Sequence, residues 1–512
     1  MAIPGNMPSQ YPALMRSVRK YFQFYSFVSI CILCLLYCFT GYYTQESADN
    51  IYRVLNTDLF TSHTENLFNN YGSLFLITNA IKYMNRFNAN IPYYGLIFIF
   101  TSFLFLVNFF VTNHLLIKKI LLIKGSYIII LAQTVCFIVL FNSICIAQYT
   151  KISLLLYVST LSLIFALTLS MGYISKYYQV YIAICILMAS LLRAEPLFIS
   201  SPLLLPLLII LYKYNRQLFR SLIRYYIPIT LFISIIILLS NLAYNANDIS
   251  YKNFVTPKVS IWDKGQDMNK LVLQDKSDSV RYWAAKNIFL SDPDSLNPAF
   301  FKRIHIEEVK KTNFIFTLFD DIPFRIGKAF NYILSSLNYY AYISYVYISV
   351  LILLPVLLFF SGKYKTALWV SLNILFYSFL IYMLAYVLKM EERILIPFAF
   401  FTYYTSFLII ITTTRGENIT QITSLKSLIL IFTVIFCSII LYDNYFIIKN
   451  KYCERNQILE AKHYVNGHIS GKYVVFNLWA WNLVYADLLD TYPLSCKNTY
   501  LSVDNGYLFL YQ

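Results

Sequence analysis

The chain has 512 residues, of which 58% are apolar and only 13% are charged, and it carries a formal net charge of +16. This composition excludes an ordinary soluble protein, in which roughly a quarter of the residues are charged, and indicates a polytopic membrane protein. The sequence contains neither G-x-G-x-x-G nor G-x-x-x-x-G-K-[ST], so it gives no sign of a nucleotide-binding site or of an ATP-driven pump.

The apolar residues fall in long runs. A run of about 20 such residues crosses roughly 30 Å of hydrocarbon as an α-helix, whereas the strands of a membrane barrel would alternate apolar and polar residues over about 10 positions. Charge-free stretches such as 347–360 favour helices. We therefore expect an all-α polytopic fold of about eleven transmembrane helices. In chain order they are 22–43, 92–113, 126–148, 152–172, 178–192, 197–212, 226–243, 340–360, 367–388, 394–412 and 427–447.

Basic residues predict the orientation of these spans. With Arg16, Arg19 and Lys20 placed in the cytoplasm, the N-terminus lies inside and the first span is expected to stay as an uncleaved anchor. The short inner loops then collect most of the remaining basic residues: Lys118, Lys119, Lys124, Lys176, Lys213, Arg216, Arg220, Arg224, Lys363, Lys365, Arg415 and Lys426. The short outer loops hold only Lys151, Arg193, Lys389 and Arg393. The positive charge is thus topological and gives no argument for nucleic acid binding.

In this orientation every one of the 25 Asp and Glu residues except Glu417 lies on the outer face. Two outer loops are long enough to have structure of their own. The first, 44–91, has apolar spacings that resemble short amphipathic helices, which lie at the membrane interface. The second, 244–332, has mixed charge and is expected to form a folded, solvated cap. Residues 1–447 are therefore predicted to form a transmembrane domain with outer loops.

The last segment, 448–512, has the pattern of a small extracytoplasmic α/β tail domain, with elements separated by turn residues. Those elements are a helix at 454–465, a strand at 473–478, a helix at 479–490 and strands at 499–503 and 507–511. Three basic residues just after the last span, Lys449, Lys451 and Arg455, would instead fit a tail on the inner side. If the outer compartment is oxidising, Cys453 and Cys496 could form a disulfide.

The first candidate site residues follow the first span. Asp49 and Glu46 are three residues apart, so they share a face if the segment is helical. A carboxylate at the mouth of a membrane cavity can act as a general base toward a hydroxyl, or can hold a divalent cation that neutralises a phosphate leaving group. The alternative is that these acids are simply solvated.

The second candidate is Arg193 with Glu195, directly before Pro196, in an expected outer turn between two spans. Charges so close to the hydrocarbon are costly unless they are paired or wet, so they mark a functional position by default. Mutual pairing of the two side chains would also explain them.

The third candidate is Glu391, Glu392 and Arg393, between two predicted spans. Pro397 would lie in the first turn of the next helix, where its missing N–H costs little. Arg393 at that helix start could bind a phosphate bidentately, which a lysine does less well. A simple interfacial anchor would need no neighbouring acids. By contrast, the five histidines are scattered without metal-ligand spacing.

Four features together resemble the GT-C superfamily of membrane glycosyltransferases, which use polyprenyl-phosphate-linked sugars. They are an acid past the first span (Asp49, with Glu46), an outer Arg-x-Glu-Pro turn (Arg193, Glu195), a late outer Glu-Arg-x-x-x-Pro segment (Glu392, Arg393, Pro397) and an outer C-terminal domain. The resemblance implies that Asp49 takes the acceptor's proton or coordinates Mg²⁺, Mn²⁺ or Ca²⁺, and that Arg393 holds the lipid phosphate. The choice of the catalytic acid among Glu46, Asp49 and Asp58 stays open.

The resemblance also implies where the reaction takes place and what it uses. A sugar would pass from a polyprenyl-phosphate carrier to a glycan, lipid or protein acceptor at the outer face of the cytoplasmic membrane. The physical reason does not depend on the family name. The carrier phosphate lies at the headgroup plane, where the enzyme needs a cationic clamp and a nearby carboxylate.

Two other functions remain open. One is a repeat-unit polymerase or ligase for O-antigen or capsule, in which arginines of the loop 244–332 such as Arg281, Arg303 and Arg325 would be critical. An odd number of spans and a folded tail disfavour it. The other is a flippase or transporter for lipid-linked oligosaccharides, which would carry ionisable residues near the bilayer midplane. The predicted spans have almost none there.

Overall fold

The structure is a computed structural model. It describes residues 11–40, 43–44, 74–87, 91, 93–121, 146–147, 149–172, 174–200, 204–243, 362–387, 392–414, 474–477 and 499–502, with separate positions in 280–331, 355–360 and 442–464. The helices that it describes in full are α1 (Tyr11–Thr40), α2 (Leu74–Phe87), α3 (Tyr93–Leu121), α4 (Tyr149–Met171), α5 (Lys176–Ser200), α6 (Leu205–Tyr214), α7 (Arg216–Leu242), α8 (Tyr364–Val387) and α9 (Glu392–Thr414). The strands are β1 (Tyr43–Thr44), β2 (Ile146–Ala147), β3 (Val474–Asn477) and β4 (Thr499–Ser502).

Seven of the described helices, α1, α3, α4, α5, α7, α8 and α9, are long and apolar enough to cross a membrane. They coincide with seven of the predicted spans, so the prediction of a multi-pass helical membrane protein is confirmed. The total of about eleven stays a prediction, because 126–148, 340–360 and 427–447 lie mostly outside the described residues. Within the first of these ranges, positions 146–147 form β2 and not the end of a helix.

The predicted span 197–212 is not one helix. Its first residues belong to α5, which ends at Ser200, and the rest belongs to α6, which begins at Leu205. Pro206 lies in the first turn of α6, where a missing N–H leaves no hydrogen bond unmade. A helix of 10 residues is about 15 Å long, half the thickness of the hydrocarbon layer. Thus α6 alone does not cross a bilayer.

Helix α4 lies at the centre of the described bundle. It packs against α3, α5, α7 and α9, and nearly all of its side chains are buried. Polar side chains join the surrounding helices. Asn108 of α3 donates to Thr160 of α4 across 2.9 Å and accepts from Tyr181 of α5 across 2.8 Å. Such hydrogen bonds between apolar helices fix which faces meet.

One end of the bundle carries the described basic residues that the sequence places inside, such as Arg16, Lys176 and Lys363, and we call it the basic end. Here Phe22 of α1 packs on Tyr178 of α5, with ring centroids 5.0 Å apart. The Tyr25 hydroxyl lies 2.9 Å from Nδ1 of His114, near the end of α3. Thr366 at the start of α8 is hydrogen bonded to Thr413 at the end of α9. These contacts agree with the predicted alternation of the spans.

At the opposite end of the bundle, short elements pack on the ends of the spans. Helix α2, which lies within the loop predicted to contain amphipathic helices, buries Ile77 and Ile81. With Phe98, Tyr149, Ile152 and Leu192 they form an apolar group that we call the end cluster. Because α2 has 14 residues and one exposed face, it lies against the bundle and does not span it.

Two predicted strands of the tail lie where the sequence places them. β3 and β4 pair in parallel, with Val474 opposite Thr499. The rest of the predicted α/β tail domain lies largely outside the described residues, and so does the cap 244–332. Cys453 is exposed, while Cys496 lies outside the described residues, so their disulfide stays a prediction.

Candidate functional site

The predicted site residues are described to different extents. Arg193 is described with its side chain and is half-buried. Glu195, Glu392 and Arg393 are described only as helix positions. The remaining predicted residues, Glu46, Asp49, Glu391 and the alternative acid Asp58, lie outside the described residues. A site shared by Asp49, Arg193, Glu195 and Arg393, which the resemblance implies, therefore stays a prediction.

Arg193 lies at a kink within α5, and not in the open turn that the sequence predicts. Its backbone is extended (φ −164°, ψ 99°), while helix continues on both sides of it. The kink falls one residue after the end of the predicted span 178–192. Glu195 and Pro196 belong to the helical segment that follows the kink.

The kink is held by the neighbouring helix. The hydroxyl of Ser153, in the first turns of α4, donates to the carbonyl oxygens of Ala189 at 2.7 Å and Arg193 at 3.1 Å. In a regular helix the carbonyl of Ala189 would accept from the amide of Arg193, so an extended residue 193 disturbs this pairing. The side chain of Ser153 supplies a donor at this place, and it fixes the backbone of Arg193 against α4.

An aromatic ring lies beside the Arg193 guanidinium. Its Cζ is 5.6 Å from the centroid of the Tyr149 ring, within the range of a cation–π contact. Tyr149 and Leu192 both belong to the end cluster. Apolar surroundings lower the local dielectric constant, which strengthens the attraction of a cation for an anion. The site therefore favours binding of a negatively charged group near Arg193.

A second cation, Lys151, lies in the first turn of α4 and is fully buried. An ionisable residue within a membrane helix is costly to bury and is a functional candidate by default, and the positive end of the helix dipole disfavours a cation in the first turn. Lys151 is therefore a further candidate site residue. The sequence pattern places Lys151 in a short outer loop, because the predicted span begins at residue 152, and Lys151 is not among the predicted site residues. The signal that could have found it is its place directly before a long run without charged residues.

Lys151 and Arg193 lie on different sides of α4. Tyr149 and Ser153 are four residues apart and face α5. At 100° per residue, Lys151 lies about 180° around the helix from the mean direction of these two residues. The two cations therefore belong to the same end of the bundle without sharing a face of α4.

The start of α9 lies at the same end. The last turn of α9 meets the start of α8 at the basic end, so Glu392, its first residue, lies at the other end of the bundle. Helix α9 also packs against α4. The helix positions of Glu392 and Arg393 thus share an end of the bundle with Lys151 and Arg193.

A short strand pair brings the first outer loop to this end. Tyr43 and Thr44 pair in parallel with Ile146 and Ala147, two residues before α4 begins. In the sequence, Glu46 follows Thr44 by two residues and Asp49 follows it by five. At 3.8 Å between consecutive Cα atoms, chain connectivity alone keeps the Asp49 Cα within about 19 Å of that of Thr44.

A residue of the tail also contacts this end. Arg455 donates to the carbonyl oxygen of Cys38 in α1, and its guanidinium lies 5.8 Å from the centroid of the Tyr37 ring. Tyr37 itself packs against the end cluster. This contact favours a tail on the same side as the candidate site over the alternative of a tail on the inner side.

The described part of the chain contains no group of three or more His, Cys, Asp or Glu side chains that could hold a metal ion. Asp49, the candidate ligand for a divalent cation, lies outside it. The expectation of a divalent cation is therefore untested.

Comparisons with known proteins found no match for this chain. No family model matches the chain, and neither curated proteins nor solved structures include a significant match. The assignment of a function thus depends on the chain's own residues and their arrangement.

Proposed function

We propose that this protein is an integral membrane glycosyltransferase that moves a sugar from a polyprenyl-phosphate carrier to a glycan, lipid or protein acceptor on the outer face of the cytoplasmic membrane. The observation that supports it most is the presence of two cations among apolar side chains at the end of the bundle opposite the basic end. Lys151 is fully buried and Arg193 is half-buried. Both lie near the ends of helices that are long and apolar enough to span a membrane, and lipid headgroups are expected at such ends.

The chemistry of a lipid-linked donor fits this arrangement. As the acceptor oxygen bonds to the anomeric carbon, the bond from that carbon to the phosphate oxygen breaks, and negative charge grows on the departing polyprenyl phosphate. Fixed cations in a site of low dielectric constant stabilise that charge. Arg193 and Arg393 are assigned to the phosphate. Lys151, which lies on another side of α4, is assigned a supporting role through its charge at the same end of the bundle.

The acceptor must lose a proton in the same reaction. A carboxylate close to the attacking hydroxyl can take it as a general base. Asp49 is assigned this role, with Glu46 and Asp58 as the alternatives. Glu195, Glu391 and Glu392 are assigned to orienting the arginines or to the sugar hydroxyls. A divalent cation at Asp49 would supply further charge neutralisation of the phosphate.

The alternatives make different demands. A transporter would carry its ionisable residues at mid-span, whereas in the seven described spans every Asp, Glu, Lys and Arg lies in the first or last third. A repeat-unit polymerase or ligase for O-antigen or capsule would use similar cations for its lipid-linked donor. It differs in its product, which is a transferred oligosaccharide and not a single sugar.

The test is transfer of a radiolabelled sugar from polyprenyl phosphate by the full chain in proteoliposomes. We expect Arg193→Gln and Asp49→Asn each to lower the transfer rate by about 100-fold, the effect of removing one preorganised electrostatic contact. Arg224→Gln, which removes an exposed arginine of α7 near the basic end, is the matched control and should keep the rate. Unchanged transfer in both site variants would reject the assignment. Lipid-linked sugar that crosses the bilayer without covalent transfer would identify a flippase.

A further inference from the structure

A separate cationic surface lies at the basic end, where α6, α7 and α8 meet. It consists of Lys213 and Tyr214 at the end of α6, Arg216 at the start of α7, and Lys365 and Trp369 in the first turns of α8. Lys213, Arg216 and Lys365 are exposed. We call these five residues the α6–α8 surface.

Aromatic side chains fix the geometry of this surface. The indole Nε1 of Trp369 donates to the hydroxyl of Tyr214 across 3.1 Å, which joins α8 to α6. The Nζ of Lys213 lies 5.5 Å from the Trp369 ring centroid and 5.7 Å from that of Tyr214. The Arg216 guanidinium lies 5.3 Å from the ring centroid of Tyr212. These cations are therefore held in place by rings.

Lys365 extends the surface along α8. It lies four residues before Trp369, so the two side chains share one face of the helix. The indole of Trp369 thus shares a helix face with Lys365 and contacts Lys213. The sequence contains no acidic residue in 196–247 or 322–390, so α6, α7 and α8 carry none.

Apolar faces continue from this surface toward the middle of the bundle. On α8, Leu368 and Leu372 follow Lys365 on the same side and are exposed. On α6, Leu205 and Ile209 are exposed as well. The spans that begin at Arg216 and Tyr364 place the charged residues at the membrane surface, with these apolar side chains below them. A molecule with an anionic head and an apolar tail matches both parts.

We propose that the α6–α8 surface binds an anionic phospholipid of the inner leaflet. The phosphate lies between Lys213, Lys365 and Arg216, and the acyl chains lie along the exposed faces of α6 and α8. Tryptophan and tyrosine prefer the headgroup level of a bilayer, and basic pockets between membrane helices on this side attract anionic headgroups. The site lies at the other end of the bundle from the proposed transfer site and is independent of that proposal.

The test measures lipid binding to the purified full chain by native mass spectrometry, with phosphatidylglycerol and phosphatidylcholine as probes. We expect the double variant Lys213→Gln/Lys365→Gln to bind phosphatidylglycerol roughly tenfold more weakly, since two basic contacts are lost. Binding of phosphatidylcholine should not change. The matched control is Arg19→Gln/Lys20→Gln, which removes two exposed charges from α1 near the same end. An equal loss in both double variants would overturn the proposal, because it would reveal a general effect of charge.

A milder variant keeps the proposal testable if the double variant fails to fold. Trp369→Phe retains a ring but loses the hydrogen bond to Tyr214 and weakens the contact with Lys213. We expect it to reduce the preference for phosphatidylglycerol over phosphatidylcholine by about threefold. An unchanged preference would contradict the proposal. Inorganic phosphate added to the detergent-purified chain should not displace the lipid, and displacement at millimolar concentration would reject a lipid site.

Discussion

The hydroxyl of Ser153 donates to the main-chain carbonyl oxygen of Arg193 across 3.1 Å, so a side chain of α4 holds the residue at which α5 kinks. The same hydroxyl reaches the carbonyl of Ala189. The backbone conformation at Arg193 is therefore set by two helices, α4 and α5, and not by α5 alone. A positioned guanidinium is what a phosphate clamp requires.

Replacing Ser153 by alanine tests this positioning. We expect Ser153→Ala to lower the free energy of unfolding by about 1 kcal/mol, the net value of a typical hydrogen bond. We also expect it to lower the rate of sugar transfer by a larger factor than a control variant of similar stability does. The control is Ser162→Ala, also buried in α4, whose hydroxyl bonds within its own helix to Val158. If both variants change stability and transfer equally, Ser153 has no positioning role.

The buried lysine of α4 predicts an effect on activity. Lys151→Met keeps the length of the side chain and removes its charge from a fully buried position. Because that charge adds positive potential at the end of the bundle where the donor phosphate is proposed to bind, we expect transfer to fall about tenfold. The temperature of thermal unfolding, measured in parallel, separates this effect from a loss of fold.

The control for this change is Lys176→Met, at an exposed position of α5, which should alter neither property. A Lys151→Met protein that is stable and fully active would remove Lys151 from the site.

The sequence predicts the described spans well because their pattern is simple. Each of the seven is a long apolar run, and length and charge content alone identify it. The sequence does not predict the break between α5 and α6 at 200–205. The segment is as apolar as a span, and only its prolines indicate a break. Nor does it predict the kink at Arg193, which depends on a hydroxyl from another helix.

The candidate site is predictable to a smaller extent. Arg193 follows from the rule that charges at span ends are costly, and it is half-buried beside an aromatic ring. Lys151 falls under the same rule, but the predicted span begins at residue 152, three residues after α4 begins at Tyr149. Burial depends on the helices that surround α4, and the sequence does not state which helices these are.

The polar contacts between α3, α4 and α5 can be measured by a double-mutant cycle. Tyr181→Phe removes one hydrogen bond to Asn108, and Asn108→Ala removes that bond together with the one to Thr160. Hydrogen bonds between membrane helices average about 0.6 kcal/mol, with a maximum near 1.7. We expect Asn108→Ala to destabilise more than Tyr181→Phe, with a coupling of about 0.5 kcal/mol or more between them. Strict additivity in urea or SDS unfolding would indicate that the two side chains do not interact.

The contact of Arg455 with the end of α1 makes the side of the tail testable. Arg455 contacts Tyr37 and Cys38, which lie at the end of the first span. Because the start of that span is predicted to be inside, the tail should be outside. Cys453 is exposed two residues earlier and serves as the probe. In a full-length variant that retains only this cysteine, a membrane-impermeant maleimide should label intact cells. A cysteine placed at Lys365 in the same background should be labelled only after permeabilisation, since α8 begins at the basic end. A cytoplasmic tail would instead give labelling of Cys453 only after permeabilisation.

That result would also move the proposed reaction to the inner leaflet. The reason is that Arg455 lies at the same end of the bundle as the candidate site, which is formed by the ends of α1, α3, α4 and α5.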